Sequence, residues 1–453
     1  MAKVDHSHWE DTIVALSTPP GVGALAVIRI SGPHAISVAE TLAPKSKSQS
    51  RMSHQAFLGR IIHEGKLLDE ALLTLFRGPK SFTGEDTVEI SLHGSTFIVA
   101  EVLKACLAAG CRLAKPGEFT QRAFLNKKLD LAQAEAVGDL IASESAAAHR
   151  TAMHQLKGGL SKEIQNLRQQ LIDFAALIEL ELDFSEEDVE FADRTRLRLL
   201  VQEIQAHLAK LIQSFSTGQA IRSGIPIIIV GPTNAGKSTL LNALLQEEKA
   251  IVSSIAGTTR DVIEDTLILE GIQFRFVDTA GIREAKDEIE KIGIERTRQQ
   301  LEKSSFALLL HAPDSDQQEV AEIEKEIIQK GIPYLKIRSK ADLSNQTHAS
   351  DFLLSAHSGL GLEELKQEIV ARAVDQNILN SETALITNLR HYEALKSTNK
   401  ALDEVKAAME SGISSDLLAT DIREALFHLG SITGEITIED VLGSIFSRFC
   451  IGK

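Results

Sequence analysis

Cysteine is scarce in this chain: Cys106, Cys111 and Cys450 are the only three in 453 residues. Three thiols cannot build a disulfide framework, which excludes the small stapled scaffolds of secreted proteins. Aromatic residues make up 4%, with one Trp and two Tyr, so a base-stacking platform for single strands is not expected. Positive charge is also short. Lys and Arg number 48 against 63 Asp and Glu, for a formal net charge of −15. Phosphate contacts need clustered Lys and Arg, so an RNA role would rest on a local basic patch or on affinity supplied by a partner. No apolar run reaches the length of a membrane span. The polar stretch from Met1 to Glu10 has no signal-peptide core, and a cytoplasmic location is the expectation. Neither an internal repeat nor a low-complexity tract is evident. What remains is ordinary globular composition, 43% hydrophobic and 25% charged, in a length suited to two to four domains.

The most informative stretch present is Gly231-Pro-Thr-Asn-Ala-Gly-Lys237-Ser238, which fits GxxxxGK[ST]. A strand-like run, Ile225 to Val230, leads in, and a helical run, Thr239 to Leu245, follows; that context is what a phosphate-binding loop requires. Its backbone N–H groups and the helix N-terminus face phosphate oxygens. Lys237 is expected to reach the β- and γ-phosphates, and Ser238 to offer its hydroxyl to Mg²⁺. Asn234, Ala235, Gly236 and Thr239 complete the loop.

Around this motif the chain changes character. Residues from about 12 to 120 are predicted to be mixed α/β. Strands are expected at Thr12–Leu16, Ala24–Ile30, Leu72–Phe76 and Thr87–Leu92, with a helix from Ser95 to Ala109 ending at Gly110. From about Phe119 to Phe215 the pattern is helical: Ala123–Ala148, Leu160–Leu182 and Arg194–Phe215. Strands and loops resume at Ile225 and continue to about Val374, and helices return at Ala384–Ala408 and Asp416–Phe446. The economical organisation is one helical domain with the nucleotide domain inserted, because amphipathic helices must bury an apolar face; three separately packed helical pieces are the alternative. The acidic run Glu186–Glu190 is taken as a solvated turn.

A phosphate loop alone serves ATP and GTP equally. Asp278-Thr279-Ala280-Gly281 follows the strand Phe274–Val277 and fits DxxG, with Asp278 on a Mg²⁺-bound water and the Gly281 N–H at the γ-phosphate. Thr259, in Gly257–Asp261, is placed as the threonine that closes over Mg²⁺. Ser339-Lys340-Ala341-Asp342 resembles the NKxD element. Asp342 would accept from guanine N1 and N2 while Lys340 packs over the base; adenine would leave that carboxylate unpaired. Ser replaces the usual Asn at position 339, a departure expected to weaken the tether of this loop. Ser355-Ala356 belongs to the element after it, with His357 in place of Lys. Four elements in order indicate GTP. The residue after DxxG is Ile282 and not a water-orienting glutamine, so hydrolysis must be organised otherwise. Asn234 with the segment Ser253–Gly257 suggests a monovalent cation near the β–γ bridge.

Further segments match one family: Thr18-Pro-Pro-Gly21, Arg29-Ile-Ser-Gly32, Ser81 to Asp86, His93-Gly94, Pro116 to Phe119, Arg122 to Asn126, Asp130 to Glu135, and Phe449-Cys-Ile-Gly-Lys453. Over essentially its whole length the chain resembles the MnmE (TrmE) family of tRNA-modification GTPases. The resemblance implies a multidomain α/β plus α fold. Residues 1–120 would form an N-terminal α/β domain that binds folate and dimerises, and 121–218 the first part of a helical domain. Residues 219–376 would be an inserted P-loop GTPase domain with a mainly parallel sheet, and 377–453 the rest of the helical domain. It also implies a homodimer working with the flavoprotein MnmG, as a heterotetramer, to install an aminomethyl or carboxymethylaminomethyl group on C5 of the wobble uridine of tRNA. GTP/GDP, Mg²⁺, K⁺ and a tetrahydrofolate derivative (5-formyl or methylene form) are the implied ligands.

Residue by residue, the resemblance places folate contacts at Arg29, Glu89, Lys128 and Lys453. A pterin presents a guanine-like donor edge suited to Glu89, and folate carboxylates suit Arg or Lys. Without the family, Arg29 and Glu89 read as a surface ion pair. Asn234, Ser253, Ile255 and Thr258 match the K⁺ ligands, and Ser238 and Thr259 the Mg²⁺ ligands. Glu290 matches the catalytic glutamate that orients water. Cys450 matches the thiol of the C-terminal motif and is given a structural or positional part near the folate and tRNA chemistry, while Cys106 and Cys111 are expected in the core. The rival reading is a ribosome-assembly GTPase acting as a binding switch. Such proteins append a basic RNA-binding module, which this acidic chain lacks.

Overall fold

The computed structural model describes residues 11–44, 52–183, 194–248, 265–277, 301–302, 304–343, 352–373, 384–411, 415–436, 439–447 and 449–452. The acidic run, and the segments holding Ser253, Ile255, Thr258, Thr259, Asp278 to Gly281, Glu290 and Lys453, lie outside the described residues. The chain divides into two compact units: Met1–Ile141 with Gln155–Ala192 and Glu410–Lys453, and Ala142–His154 with Asp193–Met409.

The first unit begins with β1 (Ile13–Leu16), β2 (Leu25–Ser31), α1 (Ala35–Leu42), β3 (Gln55–His63), β4 (Lys66–Phe76), β5 (Thr87–His93), α2 (Thr96–Ala108) and β6 (Arg112–Leu113). The strands form one sheet in the order β3-β4-β5-β2-β1-β6. Every pairing is antiparallel except β1 with β6. Alternate residues such as Ile28, Ile30, Leu73, Leu75, Val88 and Ile90 are buried in one core with α1 and α2. That is the period-2 pattern of a sheet with one face covered. The expected helix ends where Gly110 takes a left-handed φ of 97°. β3 has no counterpart in the sequence reading. Gly59 obscured it; a Cβ there would lie 2.7 Å from Leu73 Cδ1, so a larger residue would make that side chain shift.

The expected single helix over 123–148 is three: α3 (Glu118–Leu125), α4 (Leu131–Ile141) and α5 (Ala146–Leu156). Caps break it. Asp130 Oδ1 accepts from the Gln133 N–H at 2.8 Å while Gln133 Oε1 accepts from the Asp130 N–H at 3.0 Å, a reciprocal capping box. Ser145 Oγ accepts from the Ala148 N–H at 3.2 Å and starts α5. α6 (Gly159–Asp183) matches its expectation.

The second unit contains α7 (Arg194–Gln213), α8 (Phe215–Ser223), β7 (Ile225–Val230), α9 (Lys237–Glu248), β8 (Asp265–Leu269), β9 (Ile272–Phe276), β10 (Phe306–His311), α10 (Gln317–Gln329), β11 (Tyr334–Arg338), β12 (Phe352–Leu353), α11 (Leu362–Ala373) and α12 (Leu389–Glu410). Its sheet runs β12-β11-β10-β7-β9-β8, parallel throughout except β8 with β9. All six residues of β10 are buried, as expected for a strand covered on both faces. The loops that read nucleotides follow the ends of β7 and β11.

The first unit closes with α13 (Ser415–Thr433) and α14 (Glu439–Phe446). Gly434, with φ of 80°, separates what the sequence suggested was one helix. α13 packs on α6, and Arg423 Nη2 reaches Glu179 Oε1 at 2.7 Å. Leu442 and Phe446 of α14 pack with Leu131 and Ala134, and Phe449 joins them.

Candidate functional site

The phosphate loop is built as the motif demands. Gly231 has φ of 149°, and a Cβ there would lie 2.0 Å from the Leu310 oxygen, so no side chain fits. Gly236 has φ of 91° and Asn234 of 63°, which turns the backbone N–H groups of the loop inward. Lys237 begins α9 and donates to the oxygens of Gly231 at 2.6 Å and Pro232 at 2.8 Å. Burial pushes its ammonium pKa down, opposed by the charge of Glu319. The two carbonyls fix the ammonium at the loop.

The base loop lies beyond β11. The Ser339 N–H donates to the His311 oxygen at 2.9 Å, and the Ala341 N–H to the Leu354 oxygen at 3.0 Å. Lys340 takes a left-handed φ of 54° and its Nζ sits 3.8 Å from Asp314 Oδ1. A hydrogen bond from Ser355 holds the Asp342 carboxyl below its ordinary pKa, so it stays ionised and ready to accept. Ser355 is itself buried. Ser339 does tether the two loops: its Oγ donates to the Ala235 oxygen at 2.6 Å. A one-carbon side chain suffices because the phosphate loop approaches closely, with the Gly236 Cβ position 3.8 Å from Ser339 Cβ.

In the first unit, Arg29 and Glu89 stand opposite each other on β2 and β5. Phe82 and Phe119 lie 5.5 and 5.7 Å from the guanidinium carbon. Arg29 Nη1 also donates to the Gly452 oxygen at 3.4 Å, and Ser17 Oγ does so at 3.2 Å. Gly452 has φ of 98°, and a Cβ there would lie 2.3 Å from the Leu16 oxygen. The Gly117 N–H meets the Cys450 oxygen at 3.4 Å, leaving Cys450 exposed. The C-terminal tail is therefore clipped beside the ion pair. Lys128 Nζ donates to the Pro79 oxygen at 3.0 Å, on the loop that carries Phe82.

Sequence reasoning missed the group that braces this region. Arg122 is fully buried. Its Nη2 bonds Asp11 Oδ1 at 2.6 Å and Glu118 Oε1 at 3.1 Å, and its Nη1 bonds Glu85 Oε1 at 3.1 Å. Arg112 reaches both Glu118 oxygens, at 2.7 and 3.0 Å. Burial alone would raise the pKa of Glu118, but the Arg112 and Lys115 N–H bonds and the two arginine charges outweigh it, and the net direction is down. Glu85 also accepts from Ser31 Oγ, which ties the 81–86 loop to β2. The signal was present as the i, i+4 pair Glu118 and Arg122 on a short helix, without a hint that its surroundings are buried.

Comparison with known proteins supplies the rest. The family model described as the MnmE helical domain matches residues 131–450, and that described as the GTP-binding protein TrmE N-terminus matches residues 12–128. Together they span both units. The chain belongs to the MnmE family. A tRNA modification GTPase MnmE of Cytophaga hutchinsonii is 52% identical, covering 100% of both chains. Those of Flavobacterium johnsoniae and Bacteroides fragilis are each 48% identical and cover 98% of this chain, with 99% and 100% of their own. A solved structure of Era from Aquifex aeolicus matches over 39% of this chain at 24% identity with a TM-score of 0.26, a likeness too slight to carry weight. As a member of the MnmE family the chain is a tRNA-modification GTPase, a GTP hydrolase. Among the described residues no helix is long and apolar enough to cross a membrane, and no cluster of metal-ligating side chains occurs.

Proposed function

We propose that this protein is the GTP-hydrolysing subunit of a tRNA wobble-uridine C5 modification complex, acting as a cytoplasmic homodimer with the FAD protein MnmG. The observation that carries the reading is the ion pair of Arg29 and Glu89, walled by two phenyl rings and closed by the C-terminal tail. A GTPase acting only as a ribosome-assembly switch has no use for such an arrangement. Residues 1–120 would hold the folate and the dimer contact, and 219–376 would be the inserted GTPase domain. Glu89 is suited to the donor edge of a pterin; Arg29, Lys128 and Lys453 to carboxylates.

In the GTPase domain, Lys237 and the loop amides bind the β- and γ-phosphates, and Asp342 accepts from the guanine. Ser238 and Thr259 supply the hydroxyl oxygens that Mg²⁺ takes. Asn234, Ser253, Ile255 and Thr258 offer the neutral oxygens that suit K⁺. Held by those oxygens, the two ions would supply positive charge beside the phosphates. Glu290 orients the attacking water, Ile282 being unable to. Face-to-face approach of two GTPase domains completes the site and couples hydrolysis to the modification centre.

The test is nucleoside mass spectrometry of tRNA from cells lacking the protein, complemented by the wild type or by Glu290→Ala. Loss of C5-modified wobble uridine, restored only by the wild type, is expected. Unchanged nucleosides in the deletion strain would refute the modification role and favour the ribosome-assembly switch.

A further inference from the structure

The Ser339 hydroxyl is the contact between the base loop and the phosphate loop that Asn would be expected to make. A hydroxyl carries one donatable proton, whereas a side-chain amide carries two. Here that proton is directed at the Ala235 oxygen, 2.6 Å away, with the His311 oxygen at 3.3 Å as its alternative acceptor. Ser339 is buried at 5% exposure, and its own N–H is taken by His311. Guanine N7 and O6 are acceptors only. Ser339 therefore has no hydrogen left to offer either of them.

We infer that Ser339 is a strut between the two loops and not a base reader, so that this GTPase selects guanine on the N1 and N2 edge through Asp342 and is indifferent to N7. This rests on the reading of Asp342 given above. The strut couples the loops reciprocally: base binding steadies the phosphate loop through Ala235 and an ordered phosphate loop favours base binding, although the hydroxyl itself donates nothing to the base. The wild type thus forgoes an interaction that an amide at position 339 could regain while keeping the bond to Ala235.

Competition against a fluorescent GDP analogue on the full-length protein with Mg²⁺ tests this, using GTP, 7-deaza-GTP and ITP. Wild type should bind 7-deaza-GTP within twofold of GTP. Ser339→Asn should bind GTP about fivefold tighter, the worth of one hydrogen bond, and lose that gain on 7-deaza-GTP. A fivefold loss on 7-deaza-GTP in the wild type would overturn the inference, as would a Ser339→Asn protein that treats the two alike. Should the larger side chain fail to fold, Ser339→Ala decides: GTP and GDP affinity should fall together, and wild-type affinities would remove the strut. ITP lacks the N2 amine and judges the Asp342 reading separately. A tenfold loss supports it, and equal binding of ITP and GTP removes it whatever the 7-deaza result.

Discussion

Arg29 grips a single oxygen of Glu89, with Nε at 3.0 Å and Nη2 at 2.8 Å from Oε1. The other carboxylate oxygen makes no part of that fork and is available to a ligand donor. Glu89→Gln should therefore weaken 5-formyltetrahydrofolate binding at least tenfold by calorimetry. Stability should barely change, since a partly exposed pair is worth about 0–1 kcal/mol. Unaltered folate binding would return the pair to a purely structural role.

Arg112 and Arg122 together hold the Glu118 and Asp11 carboxyls down, and Arg122 is the buried member of the pair. Replacing it by Met leaves Glu85, Glu118 and Asp11 short of a buried counter-charge, which costs about 3–5 kcal/mol. The sign with pH follows from the lowered pKa of Glu118 and Asp11. Their contribution is fully present above the ordinary carboxylate values of 4.5 and 3.8 and is lost as pH falls through the depressed folded values. Urea unfolding from pH 7 down to about pH 3 should show that loss in the wild type and a flatter profile in Arg122→Met. Parallel profiles would mean that Arg122 does not tune these carboxyls.

Asn234 holds a left-handed φ of 63° in the phosphate loop, and the proposed function makes its amide oxygen a K⁺ ligand. Turnover of GTP should be several-fold faster in K⁺ than in Na⁺ at equal ionic strength, and Asn234→Ala should erase the difference. Equal wild-type rates in the two salts would dispose of the cation role.

Burial pushes the Cys111 thiol up to about 11 and raises Cys106 further, while Cys450 is exposed. Thiolates are the reactive form. Iodoacetamide at pH 8 should therefore modify one cysteine in the folded protein and three after denaturation, as counted by intact mass. Two or more fast-reacting thiols would show the first unit to be more open than described.

Much of this was legible in the sequence because the governing constraints are local. A loop that excludes any Cβ at Gly231 needs glycine, and its flanking strand and helix showed in the periodicity around it. The three-way split of 118–156 was carried by side-chain caps at Asp130, Gln133 and Ser145, which composition averages over. β3 was hidden because Gly59 serves a contact with Leu73 on the neighbouring strand. The Arg122 hub was hidden for the same reason: Asp11, Glu85, Glu118 and Arg122 are separated by up to 111 residues, and only folding brings them to one point. Ser339 looked like a defect because the distance it must span is set by another loop.

Within the first unit, α6 and α13 meet across 244 residues of chain, at Glu179 and Arg423. Closing so long a loop from an unfolded chain costs about 5 kcal/mol of entropy, plus a constant. Within the second unit, however, α7 and α12 lie together, with Gln205 Nε2 bonding Asp403 Oδ1 at 2.7 Å. That contact holds residues 198 apart in the chain side by side, so much of the long loop between α6 and α13 is closed by the meeting of α7 and α12. A substitution that loosens the contact between α7 and α12 would therefore act as a lengthening of the loop between α6 and α13, without touching a residue of either of those helices.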